Sequence, residues 1–161
     1  MSYYKSGEIL EKAIEIEEKG ISFYEALADK SDRDDMRSLF SFLAGEERSH
    51  KESFTELLEK AGEFKNDFGF DYYDYMAGMQ FLSDEGIFED DKKTVKQAFL
   101  TKDTTELIRT AIQFEQDSIL YYNEMRPIVD SAGTKMLDEI IGQERTHIVK
   151  LKQILSDLGK E

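Results

Sequence analysis

The chain has 161 residues, no cysteine and a formal net charge of −14 at pH 7. Its length predicts one domain, 1–161, with its own hydrophobic core, and the lack of cysteine excludes disulfides, iron–sulfur clusters and thiol catalysis. The negative charge argues against nucleic acids and anionic membranes as partners, because phosphate groups are bound by clustered lysine and arginine. A single proline and ten glycines leave long stretches free to be helical, so we expect an all-α fold.

The N-terminal residues Met1 to Lys5 lack the basic, then apolar, order of a signal peptide. No apolar run in the chain approaches the length needed to cross a bilayer. A composition without cysteine also fits a reducing compartment. We therefore expect a cytoplasmic protein.

Four long helices are predicted from apolar residues that recur at steps of three and four along the chain. The third should end at Arg126, because Pro127 disfavours helical geometry in the residue before it. The predicted helices cover about 6–30, 32–61, 104–126 and 131–158. The expected caps or first residues are Ser31 or Asp32 for the second helix, Thr104 or Thr105 for the third, and Asp130 or Ser131 for the fourth. The inward stripe of the first helix includes Leu10, Ala13, Ile14, Glu17, Ile21, Tyr24 and Ala28.

The connection between the second and third helices, about 62–103, is too long for a simple turn. A crossover of this length lets those two helices run in the same direction, so we expect a ferritin-like four-helix bundle. One or two short helices are predicted within it, near 72–81 and 92–99. Its many aromatic residues favour packing at the bundle end or a dimer contact over substrate binding.

Both histidines of the chain lie in nearly identical segments, and each has a glutamate three residues before it. Residues three apart share one face of a helix, so each such pair can reach a common point. Carboxylate and imidazole ligands suit iron, manganese or zinc. The two segments are Gly45-Glu46-Glu47-Arg48-Ser49-His50 and Gly142-Gln143-Glu144-Arg145-Thr146-His147.

The sequence match between the two halves extends beyond these segments and indicates an internal repeat. Residues 13–24 match 111–122 at an offset of 98, so the first predicted helix corresponds to the third and the second to the fourth. Within the inward stripes only Glu17 and Glu115 pair across the repeat. Six residues are therefore expected to converge on the bundle interior: Glu17, Glu47, His50, Glu115, Glu144 and His147.

Four buried carboxylates are very costly without compensating charge. Two divalent cations would neutralise them, so we expect a di-metal site. Arg48 and Arg145 are expected to pair with acidic residues. Tyr24 and Tyr122 stand seven residues after the two repeated glutamates; core packing is the favoured role, with hydrogen bonding or electron transfer near the metals as the alternative.

These motifs resemble the rubrerythrin branch of the ferritin-like di-iron superfamily over almost the whole chain. The resemblance implies two iron ions, although manganese or zinc would also fit the ligands. It further implies that Glu17 and Glu115 are terminal ligands, that Glu47 and Glu144 bridge, and that His50 and His147 each bind one ion. The segments that carry it are Ile16-Glu17 leading to Phe23-Tyr24, Phe114-Glu115-Gln116-Asp117-Ser118 leading to Tyr121-Tyr122, and the two Glu-x-x-His segments.

Two features depart from the rubrerythrin pattern. Rubrerythrins carry a rubredoxin-like domain with a four-cysteine iron site, whereas this chain has no cysteine, so a separate electron donor such as a rubredoxin is expected. Their third helix also carries Glu-x-x-Glu, whereas Ser118 stands three residues after Glu115 here. The missing carboxylate puts the ligand switching of that family in question.

The leading functional hypothesis is a di-iron oxidoreductase that reduces hydrogen peroxide, or less efficiently dioxygen, to water. Its catalytic residues would be the six metal ligands, with Tyr24 and Tyr122 as further candidates. One alternative is an iron-binding or ferroxidase-type protein without peroxidase turnover. Another is a bundle with purely structural metals that acts through protein contacts. The expected assembly is a homodimer.

Overall fold

The computed structural model describes residues 6–60, 72–84 and 103–160, and every regular element in these ranges is helical. This confirms the predicted all-α class. Within the same ranges, no helix combines the length and the apolar content that crossing a bilayer requires. The helices are α1 (Ser6–Lys30), α2 (Asp34–Lys60), α3 (Tyr72–Asp84), α4 (Thr104–Glu124) and α5 (Ser131–Leu158), with a 3₁₀ turn at Arg126–Ile128 between α4 and α5.

The chain divides into two compact units, 1–66 and 67–161, and the division falls within the predicted crossover. In the first unit α1 and α2 pack against each other as a helical hairpin. In the second unit α4 and α5 form the corresponding hairpin, and α3 packs against α4. Each unit thus contains one half of the internal repeat, while the assignment of 1–161 to one domain stays a prediction.

The helix α2 begins at Asp34, two residues later than predicted, because the preceding residues form the joint with α1. The Ser31 hydroxyl donates to the backbone carbonyl oxygen of Leu27 in α1 at 2.8 Å. The Ser31 carbonyl in turn accepts a hydrogen bond from the Arg37 guanidinium at 2.8 Å. The first backbone bond of α2 runs from Arg37 to Arg33, so the prediction that Ser31 or Asp32 caps this helix was wrong.

Aspartate side chains cap both helices of the second hairpin. The Asp103 carboxylate accepts a hydrogen bond from the backbone N–H of Thr105 at 2.9 Å, at the start of α4. Asp130 accepts one from the backbone N–H of Gly133 at 2.8 Å, which confirms one of the two caps predicted for α5. A Cβ atom on Gly133 would lie only 2.7 Å from the Cβ of Val129, so this joint requires glycine.

The C-terminal end of α4 lies at Glu124, whereas the sequence predicted Arg126. Pro127 stands in the middle of the 3₁₀ turn that follows. Proline lacks an N–H group, and its ring clashes with the carbonyl of the preceding helical turn. The α-helical hydrogen-bond pattern therefore ends before Arg126, the residue that precedes the proline.

The buried face of α1 is broader than the predicted stripe. Ile14 and Ile21 are half-buried, whereas Ile16, Phe23 and Leu27 are buried although they lie outside that stripe. An apolar face wider than about 100° of arc includes residues on both flanks of the central line. The predicted Glu17 lies within this face.

The short helix α3 confirms the helix predicted near 72–81. It buries Met76 and Met79, and the Tyr75 hydroxyl donates to the backbone carbonyl oxygen of Glu124 at the end of α4. Apolar burial and the hydrogen bond of Tyr75 therefore help to attach helix α3 to the second hairpin. The second short helix, predicted near 92–99, lies outside the described residues.

Candidate metal centre

All six predicted ligands are buried, with at most 2% of each side chain exposed. Among the described residues no other carboxylate is buried, and Ser118 is buried as well. Acidic side chains are almost never fully buried unless they are paired or bind a metal. The pattern found in the sequence therefore selected every buried acid and histidine in the described ranges.

The first triad consists of Glu17 on α1 and of Glu47 and His50 on α2. The Nδ1 atom of His50 lies 3.6 Å from Glu17 Oε2 and 4.0 Å from Glu47 Oε2. Each of the three residues offers one donor atom, and these three atoms all lie within 4.8 Å of one another. The α1–α2 hairpin thus brings two carboxylates and one imidazole together, as the repeat predicted.

The second triad consists of Glu115 on α4 and of Glu144 and His147 on α5. The Nδ1 atom of His147 lies 3.5 Å from Glu115 Oε1 and 2.9 Å from Glu144 Oε2. The donor atoms of these three residues also lie within 4.8 Å of one another. Both histidines direct Nδ1 toward their carboxylates, so Nδ1 is the nitrogen that would bind a metal in each triad.

The carboxyl group of Glu115 shows the electrostatic cost of this arrangement. Burial, and after it the charge of Glu144, raises the pKa of Glu115 from its ordinary value of 4.5 to about 8, and the hydrogen bond with His147 opposes that rise. The second triad therefore retains a proton at neutral pH. A divalent cation would supply the positive charge that the proton otherwise supplies.

The donor atoms of each triad fit a divalent transition-metal ion. Two carboxylates balance the charge of one such ion, and nitrogen and oxygen donors suit iron, manganese and zinc. All three side chains of each triad are buried, so bulk solvent has little direct access to the donor atoms. Each triad could therefore bind a metal.

Ser118 lies one turn after Glu115 on α4, at the position where the rubrerythrin pattern has a second glutamate. Its side chain is 1% exposed, and its hydroxyl donates to the backbone carbonyl oxygen of Phe114 at 2.9 Å. Serine and threonine form this bond often within helices. The position is thus occupied by a small side chain that is bonded to its own helix.

The two repeated tyrosines are fully buried among other aromatic rings. Tyr24 stacks on Phe40 at a centroid distance of 6.4 Å and is tilted against Phe23 at 5.7 Å. Tyr122 meets Tyr121 edge to face at 6.3 Å. These contacts support the packing role that the sequence favoured; a catalytic role for either tyrosine stays a prediction.

Arg48 has the acidic partner that was predicted, but on the surface of the hairpin. It forms an ion pair with Glu25 of α1, and about half of each side chain is exposed. A second exposed pair, Lys51 with Glu18 at 3.1 Å, also joins α1 to α2. Arg145 is exposed as well. Such exposed pairs contribute little to stability.

Comparison with known proteins agrees with this geometry. The rubrerythrin family model matches residues 8–76, a segment that includes the whole first triad. A crystal structure of a Thermotoga maritima protein, assigned as a ferritin-like diiron-carboxylate protein, is 28% identical with a TM-score of 0.72. That match covers 97% of each chain. No curated protein is significantly similar. The chain is thus similar to the rubrerythrin family over residues 8–76 and has the fold of a ferritin-like diiron-carboxylate protein.

Proposed function

We propose that this protein is a di-iron oxidoreductase that reduces hydrogen peroxide to water, and dioxygen less efficiently. The observation that carries the proposal is the pair of buried triads, each with two carboxylates and a histidine whose Nδ1 faces them. Two bound iron(II) ions would supply the two electrons that, with two protons, convert one peroxide molecule into two of water.

The proposal that both triads serve one centre rests on the internal repeat and on the resemblance to ferritin-like proteins. In this proposal Glu17 and Glu115 would each serve one ion as terminal ligands, and Glu47 and Glu144 would serve both ions as bridging ligands. The Nδ1 atoms of the two histidines complete the ligand set. Anionic oxygen ligands favour the more highly charged iron(III) state and so favour transfer of electrons to peroxide. Burial of all six side chains strengthens these electrostatic interactions.

The electrons for repeated turnover are proposed to come from a separate protein. The chain has no cysteine with which to hold a rubredoxin-type iron site. A small iron–sulfur protein such as a rubredoxin is the proposed donor, with the cytoplasm as the location and a homodimer as the assembly. Reduction of the oxidised protein by purified reduced rubredoxin would support this pairing, and no reduction over the time of turnover would contradict it.

Rapid mixing of the anaerobic iron(II)-loaded protein with peroxide tests the reaction. The near-ultraviolet absorbance of iron(III) should rise much faster with stoichiometric peroxide than with air-saturated buffer. Equal rates would remove the basis of the peroxidase proposal. His147→Ala should lose the fast phase, whereas Lys152→Ala, an exposed change on the same helix, should retain it.

The second candidate is an iron-binding or ferroxidase-type protein that does not turn over peroxide, and Ser118 favours it. This residue supplies no carboxylate where rubrerythrins have one, and its hydroxyl is bonded to the backbone. The peroxide consumed per chain with excess reductant separates the two candidates. Many equivalents would indicate the enzyme, and about one equivalent per iron pair would indicate the second candidate.

A further inference from the structure

The two triads differ in how closely the histidine approaches its own helical partner. In the second triad, His147 Nδ1 lies 2.9 Å from the carboxylate three residues earlier. In the first triad the corresponding distance, from His50 Nδ1 to Glu47, is 4.0 Å. The distances to the glutamate of the other helix are nearly equal, 3.5 Å and 3.6 Å. The difference is thus concentrated in the Glu-x-x-His pair.

Metal–ligand bond lengths give these distances a meaning. Zinc binds imidazole nitrogen and carboxylate oxygen at about 2.1 Å, and similar lengths hold for related divalent ions. Two donor atoms on one ion are then about 3.0 Å apart at a right angle and about 3.4 Å apart at the tetrahedral angle. The distances of the second triad, 2.9 and 3.5 Å, lie close to this range. Both distances of the first triad are longer, and the separation of Glu47 and His50 exceeds the tetrahedral value by about 0.6 Å.

Both triads offer two carboxylates and one imidazole, so the types of donor do not distinguish them, whereas their distances do. The first triad is as deeply buried as the second, with 0–2% of each side chain exposed. A buried side chain moves only if its closely packed neighbours adjust. A site whose ligands already have the binding geometry avoids this cost and binds more tightly.

We infer that the two metal positions are unequal: the second triad binds a divalent ion first and more tightly, and the first triad binds a second ion more weakly. This inference rests on the proposed function, in which both triads bind metal. The expected ratio of the two dissociation constants is about tenfold or more. At limiting metal the protein would then carry one ion per chain, held by Glu115, Glu144 and His147.

Titration of the metal-free, full-length protein with manganese(II) tests the inference without any measurement of activity. The electron paramagnetic resonance signal of free manganese(II) reports how much of the ion is unbound. About one equivalent per chain should bind first, and a second should bind at least about tenfold more weakly. Two equivalents of equal affinity would overturn the inference but leave the proposed function standing. No binding at all would contradict the proposed function itself.

The internal repeat provides matched variants that assign the two steps. His50→Ala should remove the weaker step and affect the tighter one much less, whereas His147→Ala should remove the tighter step. Loss of the tighter step in His50→Ala instead would overturn the assignment.

Glu17→Gln and Glu115→Gln form a second pair that preserves side-chain volume, in case either alanine variant fails to fold. The same division of effects is expected. Glu17→Gln should weaken mainly the weaker binding step, and Glu115→Gln should weaken mainly the tighter one. Equal weakening of both steps by both variants would contradict unequal positions. Circular dichroism of each metal-free variant checks that the helices are retained.

Discussion

The two hairpins contain the same triad but are built differently around it. The first turns from α1 to α2 through residues 31–33 and has exposed ion pairs such as Arg48 with Glu25. The second turns through a 3₁₀ segment with Pro127, has aspartate caps at both helices and requires glycine at position 133. The comparison teaches that the repeat has kept the buried acids and histidines, while the joints and the exposed surfaces have diverged.

The largest expected effect on stability comes from the repeated tyrosines. Tyr24→Ala and Tyr122→Ala should each lower the free energy of unfolding by about 3–5 kcal/mol, because both rings are fully buried and leave cavities. Urea denaturation measures this loss. The phenylalanine variants should keep the packing and most of the stability. If they preserve stability but slow the oxidation by peroxide, the tyrosines act in the reaction and not only in the core.

The next effect is a pH dependence that originates in the second triad. The pKa of Glu115 is about 8 in the folded protein against an ordinary 4.5. Between these values the unfolded chain has released the proton while the folded, metal-free protein retains it. The free energy of unfolding should therefore fall as the pH rises from about 4.5 to about 8, by on the order of 2–4 kcal/mol.

Glu115→Gln should flatten this dependence, since glutamine does not titrate. Urea denaturation of the metal-free protein at several pH values between 5 and 8 measures the slope. A slope that stays unchanged in Glu115→Gln would contradict the assignment to this carboxyl. The same series on Glu17→Gln would show whether the first hairpin behaves as the second does.

Substitution of glycine by alanine should have opposite effects on stability in the α4–α5 joint and in the repeated Glu-x-x-His segments. Gly133→Ala should destabilise the protein by about 1–3 kcal/mol, because the added Cβ would lie 2.7 Å from Val129. Gly45→Ala and Gly142→Ala place a Cβ in open space within helices and should stabilise by up to about 1 kcal/mol each. Thermal denaturation followed by circular dichroism distinguishes these signs. Stabilisation by Gly133→Ala would show that the joint can relax.

The smallest expected effect is at the helix caps. Asp130→Ala should cost about 1 kcal/mol, because it removes the hydrogen bond to the first turn of α5. Asp32→Ala, in the corresponding joint of the first hairpin, should change stability by less than about 0.5 kcal/mol, because Asp32 lies outside α2. Chemical denaturation of both variants measures the difference. Equal losses would mean that the joints are more alike than their hydrogen bonds indicate.

The structural features that could be predicted best from the sequence are those that depend on both burial and helical periodicity. The bounds of α1 and α5 and the burial of all six acids and histidines followed from apolar spacing and from the repeat. A buried charged side chain interrupts an apolar stripe, and the second copy of the motif separates such a side chain from the many exposed glutamates. The six positions could therefore be found without structural information.

The predicted helix ends were less accurate where individual hydrogen bonds determine the residue at which a helix begins or ends. The start of α2 depends on the bonds of Ser31 to Leu27 and Arg37, which apolar spacing does not reveal. The end of α4 depends on how far the effect of Pro127 extends back along the helix. The different separations within the two triads arise from side-chain positions, and nearly identical motifs give no sign of them.

Each triad comes from two helices that are consecutive in the chain. The ligands of the first triad span 17–50 and those of the second span 115–147. Contacts over such short separations form quickly, since little chain entropy is lost when the loop closes. During synthesis the first hairpin would be able to assemble its metal ligands before the second hairpin has left the ribosome. The order in which the two positions are made would then be the reverse of the order in which we expect them to bind metal.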